Sequence, residues 1–86
     1  MKVNPSVIFR EEFDNTALLF NPDDGACFGL NSTGVILWRE AANGSDFSQA
    51  VAQLKSCLTG EIPETLESDA REFFNKLAEI GFVSEL

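Results

Sequence analysis

The sequence predicts an α+β fold: a three-stranded antiparallel sheet followed by three helices, in one domain spanning residues 1–86. Three observations predict it. Short runs of β-branched and aromatic residues, split by turn residues, fill the first third of the chain. Longer stretches with apolar residues at helical spacing fill the rest. The two regions meet at Leu30-Asn31-Ser32, where an apolar strand stops and a helix starts at once. Asn is a strong N-cap, because its side-chain oxygen accepts from a free amide of the first helical turn.

The elements follow in order. Val7-Ile8-Phe9-Arg10-Glu11-Glu12-Phe13 reads as the first strand, closed by the turn pair Asp14-Asn15. Ala17-Leu18-Leu19-Phe20 is a second, more continuously apolar strand. Asn21-Pro22-Asp23-Asp24-Gly25 is dense in turn chemistry, with Pro fixing φ and Gly permitting positive φ. Ala26 to Leu30 then forms the third strand, in a hairpin with the second. The first helix runs from Ser32 to Ala42 and stops at Asn43-Gly44. Asp46-Phe47-Ser48-Gln49 has the form of a capping box and opens a second helix that reaches Leu58. These two helices resemble a helix-turn-helix pair. Thr59-Gly60-Glu61-Ile62-Pro63 breaks the pattern. The third helix begins between Glu64 and Leu66 and ends at Ile80, after which Phe82-Val83 docks back on the sheet.

Composition narrows the function. The formal net charge is -8, from 14 acidic and 6 basic residues, which argues against broad binding to phosphate backbones. There is no His, and Cys27 and Cys57 make no zinc signature. They read as two small buried hydrophobes rather than a disulfide or a reactive thiol. The N-terminus lacks the apolar core of a signal peptide, and no run approaches a membrane span. A cytoplasmic chain without membrane contact is expected. Phosphate loop, nucleophile elbow and metal-ligand spacing are all missing. The acids sit at helix starts and on polar faces, where the macrodipole and solvent favour them. No catalytic residue, cofactor or metal is expected, and the chain does not read as an enzyme.

The third helix carries an asymmetry. With Leu66 at zero and about 100° per residue, Leu66, Ala70, Phe73, Leu77 and Ile80 form one stripe. Phe74, Ala78 and Arg71 lie to one side of it, and Asp69 and Lys76 to the other. The flank with Phe74 reads either as a wide core face or as one wall of a groove for an apolar peptide. The strand Ala26–Leu30 is the natural second wall, because a sheet edge has unpaired amides and carbonyls that invite another strand.

The ordered set Leu18-Leu19, Asn21-Pro22, Leu30-Asn31-x-Thr33, Ile36-x-Trp38, Gly44, Asp69-x-x-x-Phe73-x-x-x-Leu77 and Gly81-Phe82-Val83 resembles the PqqD-like family over residues 4–84. The resemblance implies a small winged helix-turn-helix domain, also called a RiPP recognition element. Such domains bind the leader segment of a ribosomally made precursor peptide and present it to a modifying enzyme, often a radical SAM protein. The implied mode is strand addition. Carried onto this chain, the peptide-binding positions are Ala26, Cys27, Phe28, Gly29 and Leu30, with Arg71, Phe74, Asn75 and Ala78 opposite. The chain has Gly34 where such proteins commonly have Ala.

The alternative from another class is a DNA-binding winged-helix regulator. A DNA reader needs cations on its recognition helix, and the second helix offers only Lys55. An exposed edge strand leaves two assembly states open, a monomer or a strand-paired dimer. The chemistry gives a first testable outcome. Protein purified under reducing conditions carries no stoichiometric zinc or iron by elemental analysis. A tightly held catalytic metal would exclude a peptide-binding role of this simple form.

Overall fold

The strand that ends at Leu30 and the helix that begins at Ser32 share one linking residue, Asn31, and this junction organises the chain. A computed structural model describes residues 1–58 and 60–86. The elements are β1 (Lys2–Val3), β2 (Ile8–Glu11), β3 (Ala17–Asn21), β4 (Ala26–Leu30), α1 (Ser32–Ala42), α2 (Phe47–Cys57), α3 (Leu66–Glu79) and β5 (Val83–Ser84). The break between α2 and α3 includes Thr59, which lies outside the described residues.

The main sheet has the order β2-β3-β4 and is antiparallel throughout. Its register pairs Phe9 with Leu19 and Leu19 with Phe28, so these three share one face. Side chains alternate across a strand, and β3 shows the alternation directly: Ala17, Leu19 and Asn21 are buried while Leu18 and Phe20 are half-buried on the other face. Asn21 is a buried polar residue with its needs met. Its side-chain oxygen accepts from the Asp23 amide at 3.0 Å, and its carbonyl accepts from the Gly25 amide at 2.8 Å. Gly25 closes this turn at a φ of 76°, in the region glycine enters without penalty.

The β2–β3 turn is shorter in strand than the sequence suggests. Pairing stops at Glu11, and Phe13 projects fully into solvent. In this turn the Thr16 hydroxyl donates to Asp14, which holds the exposed carboxyl below its usual range. The stabilisation from that bond is present above the ordinary carboxylate pKa and is lost as pH falls through the lowered value.

The helices pack beneath the sheet's inner face. Asn31 caps α1 by accepting from the Gly34 amide at 2.9 Å. Asp46 and Gln49 form the reciprocal capping box of α2, with bonds of 2.8 and 2.9 Å. The core joins Leu19 and Leu30 of the sheet to Leu37 and Trp38 of α1, Leu54 of α2, and Phe74 and Leu77 of α3.

The tail does not dock on the main sheet. Val83 and Ser84 pair with Val3 and Lys2 in a separate two-stranded ribbon. The Asn4 amide donates to the Phe82 carbonyl at 2.8 Å, and the Asn4 side chain donates to the Gly81 carbonyl at 3.1 Å. The N-terminal segment thus pins the end of α3, and Phe82 is completely buried behind it. Both cysteines are exposed, contrary to the buried placement expected of them. Cys27 points to the outer sheet face, and Cys57 lies in the last turn of α2.

Trp38 is only 5% exposed, as its place on the first helix implied. Trp38→Ala lowers the unfolding free energy by about 3–5 kcal/mol, read by urea denaturation. Asn31→Ala costs about 1 kcal/mol through the lost cap, and a negligible change there would mean that α1 starts without it.

Candidate functional site

Among the described residues, β4 pairs only with β3, so its other side is a free sheet edge. Along that edge runs an open groove of about 600 Å³ between β4 and α3. Phe28, Gly29 and Leu30 form one wall, and Asp69, Phe73 and Lys76 form the other. Alternation puts Phe28 on the inner face, where its ring meets Phe73 edge-on with centroids 6.0 Å apart. Such a pair contributes beyond its buried area. The groove is therefore lined by an aromatic pair, beside a strand edge that no described strand covers.

The rotation of α3 differs from the one its sequence pattern suggests. Its buried residues are Leu66, Ala70, Phe74 and Leu77, and Phe73 is half-exposed. The core-facing stripe is thus turned by about 40° toward Phe74. The cause lies on α2. Phe47 packs edge-on against Phe74, with centroids 6.2 Å apart, and covers that flank. Arg71 stacks over the Phe47 ring at 4.3 Å from its centroid.

The structure places four of the expected site residues away from the β4 groove. Phe74 is 1% exposed and belongs to the core. Arg71 lies over α2, Asn75 shares a shallow surface with Arg71 and Glu64, and Ala78 packs half-buried against the core. None of the four lines the β4 groove. The residues that take their place, Asp69, Glu72, Phe73 and Lys76, lie on the opposite flank of the same helical wheel. The wheel shows both flanks, and only the position of Phe47 decides between them.

The β4 positions fall as expected along the edge, with different orientations. Ala26, Phe28 and Leu30 face inward, while Cys27 and Gly29 face outward. A side-chain carbon at Gly29 would meet no atom within 4 Å, so packing does not require glycine there. Gly34 is different. A side-chain carbon at that position would sit 3.2 Å from the Phe73 ring and 3.3 Å from Leu30, so the missing methyl lets Phe73 settle between β4 and α1.

The electrostatics are mild. Glu72 and Lys76 form an exposed pair at 3.4 Å, four residues apart on α3. Among the described residues no group of three or more His, Cys, Asp or Glu side chains could hold a metal ion, and no helix is long and apolar enough to cross a membrane.

The family model described as "Coenzyme PQQ synthesis protein D (PqqD)" matches residues 16–83. The chain belongs to the PqqD family. Its fold matches that of a solved structure, TbiB1 in complex with the TbiA(beta) leader peptide, with a TM-score of 0.82 at 24% sequence identity. That match covers 100% of this chain and 98% of the other. No curated protein sequence matches the chain.

The two adjacent phenylalanines of α3 separate fold from groove. Phe74→Ala opens the core and lowers stability by about 3–5 kcal/mol, whereas Phe73→Ala costs about 1–2 kcal/mol. Urea denaturation of the two variants checks the order, and the reverse order would return Phe73 to the core.

Proposed function

We propose that this chain binds the leader segment of a ribosomally made precursor by strand addition along β4 and presents it to a modifying enzyme. The observation that carries the reading is the free β4 edge beside the aromatic floor of Phe28 and Phe73. Membership of the PqqD family supports it, as does a shared fold with TbiB1, whose structure contains a leader peptide. Main-chain hydrogen bonds to Ala26–Leu30 supply affinity tolerant of sequence, and the groove supplies selectivity. The peptide lies antiparallel to β4 and packs on Phe73 and Lys76.

The domain itself performs no chemistry in this reading. It acts in the cytoplasm, where a nascent precursor meets its enzymes, and the enzyme it serves is a radical SAM protein. A role in DNA binding finds no support in α2, whose only cation is Lys55.

The test is an amide-shift titration with a synthetic leader peptide of a precursor that the chain recognises. Shifts concentrate in Ala26–Leu30 and around Phe73. Phe73→Ala weakens binding by about tenfold, the loss of one well-placed aromatic anchor. Arg71→Glu, on the far flank, leaves affinity unchanged. Shifts confined to α2 would move the site to the helix-turn-helix face.

A further inference from the structure

A second cavity, of about 440 Å³, opens where β4 ends. Its floor is apolar, made by Leu37, Leu54 and Leu66, with the Phe73 ring as one wall. Glu61 and Asp69 line the same cavity. Asp69 and Phe73 also line the β4 groove, so the cavity and the groove form one continuous trough. Both carboxylates are exposed. Among the described residues neither takes part in an ion pair, and the cation nearest to hand in the groove, Lys76, is already held by Glu72 at 3.4 Å.

We infer that this cavity takes a lysine or arginine side chain of the bound peptide, its stem on the apolar floor and its cation against Asp69 and Glu61; the inference rests on the strand-addition reading above. An apolar floor beside two carboxylates favours an amphipathic cation. Lys and Arg bury their methylene stems along apolar surface while the charge stays at the wet rim. An acidic side chain would be repelled by the two carboxylates, and an apolar one would cover the floor without engaging the acidic rim. The overall charge of -8 adds a field of the same sign.

Direction places the cation in the peptide. A strand antiparallel to β4 begins opposite Leu30 and ends opposite Ala26. The residue just before the paired segment then passes over Asn31, Thr33 and Gly34, which line the cavity. The cationic residue therefore immediately precedes the strand-forming stretch, and apolar residues that meet Phe28 and Phe73 follow it.

The experiment pans the full chain against displayed random short peptides. Enriched sequences are mapped by amide shifts to confirm that they add to β4. Lysine or arginine is enriched at the position preceding the paired stretch. Replacing that residue by norleucine, which keeps the stem and removes the charge, weakens binding about three- to tenfold at low salt, the scale of partly exposed ion pairs. On a Glu61→Gln/Asp69→Asn variant the two peptides bind alike. Both substitutions are at exposed positions, and unchanged denaturation confirms the fold. Enrichment of apolar or acidic residues at that position, or equal binding of lysine and norleucine peptides to the unaltered chain, overturns the inference and leaves strand addition standing. If no enriched peptide perturbs β4, strand addition fails and the inference falls with it.

Discussion

The burial of Phe74 against Phe47 is the contact on which the groove depends. Helix α3 offers apolar side chains over a wide arc, and a wide arc allows more than one rotation. Packing Phe74 between α2 and the core selects one of them. Phe73 is then carried to the boundary between core and solvent, where its ring stands 5.2 Å from that of Phe74 and 6.0 Å from that of Phe28. Asp69 and Lys76 follow it to the β4 side because they share its face of the helix. A single core residue thus decides which charges face the sheet edge. A small domain has little spare core with which to make that choice elsewhere.

The strand-to-helix junction supplies the second constraint. Asn31 ends β4 and caps α1 with no intervening loop, so the edge strand cannot shift along its axis without dragging the helix. Gly34 sits one turn into that helix, close under Phe73 and Leu30. Its missing side chain lets the aromatic wall approach the end of the strand. Alanine would strengthen the helix by its propensity while pressing on the ring. At the far end of α3, the β1–β5 ribbon and the Asn4 bonds hold Gly81 and Phe82 in place. Hydrogen bonds therefore hold both ends of the groove, a local cap at Asn31 and long-range pairing between residues 2–4 and 81–84 beyond α3.

What the sequence made legible divides along physical lines. Local signals were decisive. The Asn31 cap, the Asp46–Gln49 capping box and the Asn21–Gly25 turn depend on neighbouring residues, and their elements lie within a residue or two of where those signals put them. The β4 edge also followed from element order. Quantities set by distant partners were hidden. The rotation of α3 depends on Phe47, more than twenty residues away; the helical wheel puts Phe74, Ala78 and Arg71 on one flank and Asp69 and Lys76 on the other, and nothing local to α3 selects between them. The two-residue strands β1 and β5 have no periodicity to detect and exist only because each pairs with the other. Cys27 departs from the burial expected of it because burial on a short strand depends on what covers its outer face, and no described strand does.

A free strand edge that can accept a peptide can equally accept a copy of itself, and this tension shapes the surface around it. Edges are blunted by short length, by charge or by a cover. Here the edge is five residues long, and Asp69, Glu72 and Lys76 flank it on the helix side. Two copies approaching edge to edge would bring their acidic surfaces together, each chain carrying a net charge of -8. A short peptide approaching the same edge brings far less opposing charge, and a cation in it reverses the sign. On the strand-addition reading, the acidity that opposes self-pairing is the same property that would favour a cationic peptide in the trough.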